Sequence, residues 1–157
     1  MSLEELFKGR GVNIPSVLAH LKKVAAECDL PFGDRTQTFN SRRAQELGKW
    51  AESLGKGDEF HLAIFRAYFA DGLNIGKIPV LAKVVESLGL DGGEAEQALL
   101  NGSYSTAVDQ DWNHSRACGV TAVPTFIANS RKVVGAQPYE VLVKLVNEAE
   151  DTVSRIL

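Results

Sequence analysis

The sequence predicts an α/β protein that is mostly helical and closes with a β-hairpin and one last helix. Three observations carry this expectation. Apolar residues recur at helical spacing, stretch after stretch, from 13 to 118. Gly119 then follows in the position of a helix-ending glycine. Next, Val123-Pro124-Thr125-Phe126-Ile127 sets a proline at the mouth of an apolar strand, where its missing N–H costs no ladder bond.

The elements follow in chain order. Asn13-Ile14-Pro15 opens the first helix, with Pro15 suited to a first turn. Its residues Val17, Leu21, Val24 and Cys28 share one face, which is expected to be buried. Pro31-Phe32-Gly33-Asp34 ends it as a turn or loop. Asn40 is the expected N-cap of the second helix, with Ala44, Leu47, Ala51 and Leu54 as its stripe. Asp58 caps an aromatic third helix carrying Phe60, Ile64, Phe65, Tyr68 and Phe69, broken at Asp71-Gly72. Pro79 starts a fourth with Leu81, Val84, Val85 and Leu88, closed by Gly89. The fifth runs from Asp91 to Leu100, and Ser103 caps a sixth that reaches about Cys118. Strands are expected at Thr125–Asn129 and Lys132–Gly135 around a Ser130-Arg131 turn. The last helix runs from Pro138 to about Val153, with Val141, Leu142, Leu145, Val146 and Ala149 inward.

Composition excludes several classes of function. The chain has 157 residues, 45% hydrophobic and 24% charged, as in ordinary globular proteins. Its net charge of −3 argues for neither nucleic acid nor an anionic membrane surface. No apolar run approaches the ~20 residues of a spanning helix, and the start carries no apolar signal segment. Met1-Ser2-Leu3 reads as an added leader, which would put the natural start elsewhere. The cytoplasm is the expected compartment, in agreement with the low cysteine count.

The candidate chemical groups have bland readings on spacing alone. Pro124 would be a trans proline at an edge strand. Cys118 has Arg116 beside it and His114 one turn back, yet it ends a helix, where the dipole disfavours a thiolate. It is read as a small packed hydrophobe, as is Cys28. Neither belongs to a Cys-x-x-Cys pair. His20, His61 and His114 lack ligand spacing, so no metal site is expected. Asp109 and Asp111 around Trp112 read as solvated acids, Asn40 as a cap, and Arg42 and Arg43 as exposed.

A family resemblance raises the expectation for the proline. Ala122-Val123-Pro124-Thr125-Phe126, followed by Val133-Val134-Gly135-Ala136-Gln137-Pro138-Tyr139-Glu140-Val141-Leu142, resembles the DsbA family of thioredoxin-like thiol–disulfide oxidoreductases. Strand, hairpin, strand and helix behind a Val-Pro look like the second half of a thioredoxin-like domain. Thr38-Phe39-Asn40-Ser41-Arg42-Arg43-Ala44-Gln45-Glu46-Leu47 is similar to the opening of the inserted helical domain in the FrnE-like branch. So are Phe65-Arg66-Ala67-Tyr68-Phe69, Asp71-Gly72 and Asn74-Ile75. That branch also holds the 2-hydroxychromene-2-carboxylate isomerases and kappa-class glutathione transferases.

The resemblance implies a helical insertion domain over 13–118 and the C-terminal half of a thioredoxin-like domain over 120–154. It implies that the N-terminal β-α-β half, with its Cys-x-x-Cys segment, is missing here. It implies a cis Val123-Pro124 bond, with Ala122, Val123 and Pro124 forming a substrate-binding segment. In the glutathione-using relatives the insert walls the cleft, which makes Asn40 and Arg43 candidate ligand contacts. The expected activity is thiol–disulfide exchange of the protein disulfide isomerase kind, silent in this chain for want of a catalytic thiol pair. No catalytic residue is therefore assigned.

A glutathione-dependent isomerase or transferase is the alternative, with glutathione as the candidate ligand and no other cofactor. A non-catalytic association domain is the third reading. Partners would be a thiol- or disulfide-bearing protein or glutathione. A homodimer is expected, because the Thr125–Asn129 strand lacks its flanking parallel strands and offers an open edge.

Overall fold

The computed structural model describes residues 1–154, and side chains up to Ala149. The chain forms two compact units, Met1–Asp109 and Gln110–Leu157. In order, the elements are α1 (Leu3–Leu6), α2 (Ile14–Glu27), α3 (Arg42–Ser53), α4 (Gly57–Phe65), a π-helical turn (Arg66–Ala70), α5 (Ile78–Ser87), α6 (Gly92–Leu100), α7 (Ser105–Ala117), β1 (Thr125–Ala128), β2 (Arg131–Val134) and α8 (Tyr139–Ser154). The fold is mostly helical, with a two-stranded hairpin followed by one last helix.

The first unit is built on α3 to α6. Ala44, Leu47 and Ala51 line the inner face of α3 as their spacing predicts, and Trp50 joins them. They meet Phe60 and Ile64 of α4, Leu81, Val84 and Val85 of α5, and Ala95 of α6. Phe60 and Leu81 are both 0% exposed, which makes them anchors of this core. Leu54, expected on the stripe, is exposed because the helix ends at Ser53 and the chain turns outward.

Several helix ends differ from the expectation. Asn40 does not occupy the cap position. Its Oδ1 accepts the Arg42 N–H at 2.8 Å, and α3 starts after Ser41. Asp58 lies inside the first turn of α4, which opens at Gly57. Ser103 cannot begin the next helix, because its N–H closes α6 on the Ala98 carbonyl at 3.1 Å, and α7 starts at Ser105.

After α4 the chain adds one residue to a turn. The Asp71 N–H bonds to the Arg66 carbonyl at 3.1 Å, the i−5 pattern of a π-turn. This offset carries Phe69 to a position where its carbonyl takes the Gly33 N–H at 2.8 Å. Gly33 passes so close that an added Cβ would lie 2.1 Å from the Ala70 carbonyl oxygen. Arg35 stacks over the Tyr68 ring at 4.3 Å and donates to its hydroxyl at 2.6 Å.

The first helix departs most from expectation. Pro15 and Asn13 open α2 as predicted, and the Asn13 side chain accepts the Ser16 N–H. Yet Val17, Leu21, Val24 and Cys28 are all exposed. None of the residues of α2 is buried, so periodicity correctly gave a helix but not a buried one.

The second unit holds the hairpin and α8. β1 and β2 pair antiparallel, Thr125 opposite Val134 and Ala128 opposite Arg131. The turn is Asn129-Ser130, one residue earlier than expected. Asn129 adopts φ 53°, a left-handed conformation that Asn tolerates better than Ser or Arg. Its side chain donates to the Ala149 carbonyl at 2.9 Å, and Arg131 pairs with Glu148, so both ends of the turn are tied to α8. Leu145 and Ala149 are buried, but Val141 and Val146 are exposed. Two short strands cover only one stripe of the helix.

Candidate substrate-binding site

The segment between α7 and β1 is set by how α7 ends. Gly119 takes φ +67°, a conformation that strains any residue with a Cβ. The Gly119 N–H bonds the Arg116 carbonyl at 2.9 Å and the Val120 N–H bonds the Ser115 carbonyl at 3.0 Å. These two bonds form a Schellman ending with Cys118 as the last half-helical residue. Lys132, reaching from β2, donates its ammonium to the Gly119 carbonyl at 2.8 Å. The helix end and the hairpin are thus fastened on both sides of the connecting loop.

Within the loop, Thr125 Oγ1 donates to the Ala122 carbonyl at 2.6 Å, closing a tight turn around Val123 and Pro124. The Val123–Pro124 peptide bond is cis. Pro124 has no N–H to lend the sheet, but its carbonyl accepts the Gly135 N–H at 2.8 Å, extending the ladder by one bond. Val123 is left 88% exposed. Among the described residues neither its N–H nor its C=O is hydrogen-bonded. An extended chain could pair with both groups, in the manner of strand addition.

Both cysteines differ from the packed hydrophobes expected. Cys28 and Cys118 are free and exposed, each standing just past the last residue of its helix. The Cys118 Sγ lies 3.6 Å from His114 Nε2. Their four-residue separation on one helix face is legible in the sequence, but their contact is a matter of rotamers.

Arg42 is not a solvent-facing charge either. Its guanidinium donates to Glu46 at 2.8 Å, to Asp109 at 2.6 Å, and to the Ser105 carbonyl and hydroxyl, both at 3.0 Å. Asp109 is correspondingly a partner rather than a solvated acid. These two carboxylates hold the Arg42 pKa above its ordinary value, Asp109 most strongly. Arg43 donates to the Gly76 carbonyl at 2.9 Å.

The first unit has its own cleft of about 400 Å³, walled by Phe39, Ile64, Phe65, Tyr68, Phe69 and Ile75, with His61 and Gln45 at its polar side. Asn40 and Arg43, the candidate ligand contacts, spend the hydrogen bonds described above on their own backbone neighbourhood. Among the described residues no group of three or more His, Cys, Asp or Glu is placed to hold a metal. No described helix is long and apolar enough to cross a membrane.

Comparison with known proteins places this geometry in context. Residues 7–147 match the family model of a DSBA-like thioredoxin domain. Uncharacterized protein YwbO of Bacillus subtilis (strain 168) is 33% identical over 102 residues, which is 64% of this chain and 51% of that protein. The chain therefore spans about half the length of this curated relative. The crystal structure of probable DsbA oxidoreductase SCO1869 from Streptomyces coelicolor is similar with a TM-score of 0.83 at 24% identity, covering 95% of this chain and 67% of that one. The cytosolic disulfide reductase DsbM from Pseudomonas aeruginosa is similar at a TM-score of 0.58 and 21% identity, covering 88% of this chain and 75% of that one. Its structure with GSH gives 0.59 and 22%, with 87% and 72% covered. At these identities the solved structures show the fold alone.

Proposed function

The chain belongs to the DSBA-like thioredoxin domain family, and we propose from that premise that it serves thiol–disulfide exchange by holding an extended substrate strand on Ala122, Val123 and Pro124. What supports this reading is the exposure of Val123 together with its unpaired N–H and C=O. Family members of this kind act through a thiolate that attacks a disulfide, with a second thiol resolving the mixed product. This chain carries two cysteines, Cys28 and Cys118, and no Cys-x-x-Cys. Taken alone it binds the strand and does not run the two-thiol cycle. The finer placement follows the FrnE-like branch, with a helical insertion over 13–118 and the thioredoxin-type half over 120–154. The cytoplasm is the proposed compartment, supported by the similarity to a reductase described as cytosolic.

The test is an amide titration by NMR. Oxidised glutathione, and separately an extended peptide with an internal disulfide, are added to the labelled chain. Glutathione is included because a structure of similar fold was solved with it. The Val123 amide should shift with the peptide, and its neighbours Ala122 and Thr125 with it. A titration that moves other amides and leaves Val123 in place sinks the reading.

A second reading concerns association. β1 and β2 form a two-stranded sheet, and Phe126, Ile127 and Val134 on it are exposed. An apolar edge of this kind recruits another strand. We propose a homodimer built on β1. Light scattering over a wide concentration range should show twice the chain mass, and a monomer throughout overturns it.

A further inference from the structure

We propose that the cleft between α4, the π-helical turn and α5 binds a small aliphatic monocarboxylate, its carboxylate held by Arg66 and Lys83 and its tail on an apolar floor. The site lies wholly within the first unit and does not depend on whether Val123 holds a substrate strand.

The cleft measures about 420 Å³, a size that suits a small organic ligand. Its apolar lining comes from Ala63, Ala67, Leu73, Val80 and Val84, of which Ala67 and Val84 are buried. The Ser87 hydroxyl also lines it, but its proton is spent on the Val84 carbonyl at 2.6 Å. The polar side chains left for a ligand are therefore the charged ones, Arg66, Lys83 and Asp71.

The backbone sets these groups on one wall. The Arg66 carbonyl takes the Asp71 N–H at 3.1 Å, and the Ala67 carbonyl takes the Leu73 N–H at 2.8 Å. In a continuing α-helix the Arg66 carbonyl would take the N–H of residue 70 instead. The extra residue brings Asp71 and Leu73 round to the cleft that Arg66 and Ala67 line. Single π-turns of this kind are frequent at functional sites.

The charges at this cleft are unspent. Among the described residues no side-chain hydrogen bond or ion pair engages Arg66, Lys83 or Asp71. In the same unit Lys22, Lys23, Arg42, Lys49 and Lys56 all pair with carboxylates. Two cations against one carboxylate leave a single positive charge beside an apolar floor. A monoanion with an aliphatic tail complements both features, and a cation of the same shape does not.

The experiment titrates octanoate, below its micelle concentration, into the labelled intact chain and follows amide and methyl signals by NMR. Ala63, Ala67 and Val84 should shift saturably. Changing Arg66→Gln and Lys83→Gln together should raise the octanoate Kd about tenfold, since each exposed pair contributes only about threefold. Asp71→Asn should lower it about threefold by removing the one repelling charge. Octylammonium, the same tail with the opposite charge, should bind at least about tenfold more weakly. These side chains are exposed, so amides remote from the cleft should keep their positions in each variant. No saturable shift at Ala63, Ala67 and Val84, or shifts confined to the aromatic cleft around Phe39 and Phe65, overturn the assignment. Equal affinity for octylammonium overturns it as well, and that comparison needs no variant to fold. The Val123 amide reports on the disulfide peptide alone, so failure of one site is distinguishable from failure of the other.

Discussion

Arg42, in the first turn of α3, donates to Asp109 at a distance of 2.6 Å across 67 positions of sequence. The same guanidinium holds Glu46 and Ser105. A planar fork with five donors makes all four of these hydrogen bonds, one more than the three N–H groups of an ammonium allow. The start of α7 is thereby fastened to α3, even though the exposed face of each helix looks like ordinary surface in sequence.

Arg42→Ala should lower the melting temperature by a few degrees, because Glu46, only 12% exposed at its side chain, loses its cation. Arg42→Lys should recover part of the loss and no more. The deficit should shrink in high salt, since the outer Asp109 arm is screened. Thermal unfolding at low and high ionic strength reads all three outcomes. An Arg42→Ala variant that melts like the parent removes the structural role assigned here.

Two leucines on helices of similar amphipathicity should respond very differently to truncation. Leu81 is 0% exposed in the core of the first unit, and Leu81→Ala should cost about 2–5 kcal/mol. Leu21 is 40% exposed on α2, and Leu21→Ala should stay within about 0.5 kcal/mol. Urea unfolding of both variants tests the pair. A large loss for Leu21→Ala would mean that the α2 face is covered in solution, for example by a second copy.

Gly33→Ala should destabilise by about 1–3 kcal/mol, the usual cost of forcing atoms into a packed site. The clash is with the backbone carbonyl of Ala70, 2.1 Å from the added Cβ, so no side chain can swing away to relieve it. Chemical denaturation measures the loss. Hydrogen exchange at Gly33, whose N–H is held by Phe69, should rise with it.

The Asp34 carboxyl is held below its ordinary value of 3.8, first by the hydrogen bond from Lys22 and then by the charge of that ammonium. A folded-state pKa below the unfolded one gives stability that is present above the unfolded value and lost as pH falls through the folded value. Lys22→Met should move the Asp34 titration up towards 3.8, seen in its carboxyl carbon shift. Both side chains are more than half exposed, so neutral-pH stability should barely change. An Asp34 titration that does not move in this variant rejects the pairing.

How far the fold was legible follows from what each signal measures. Periodicity located α3, α5 and α6 well, since one apolar face per helix suffices to bury it. The Asn13-Ile14-Pro15 start of α2 and the Gly119 stop of α7 were equally readable, because caps are local chemistry. The turn slipped by one residue, since Asn129 and Ser130 are both good turn formers and only the pairing register chooses between them. At the site, the Val123-Pro124 segment stood out in the sequence through its place before an apolar strand.

By itself, then, the sequence determined the helical series, the hairpin, and the family to which the segment around Pro124 pointed. Those features depend on backbone preferences and apolar spacing, which act over a few residues. Only the tertiary structure decided that α2 buries none of its residues, that Arg42 is the hub of an ion-pair network, and that both cysteines face solvent. It also decided that His114 touches Cys118 and that Lys132 closes the end of α7. Each of these depends on which surfaces meet, or on the rotamer a side chain takes once they have met, and no local pattern encodes that.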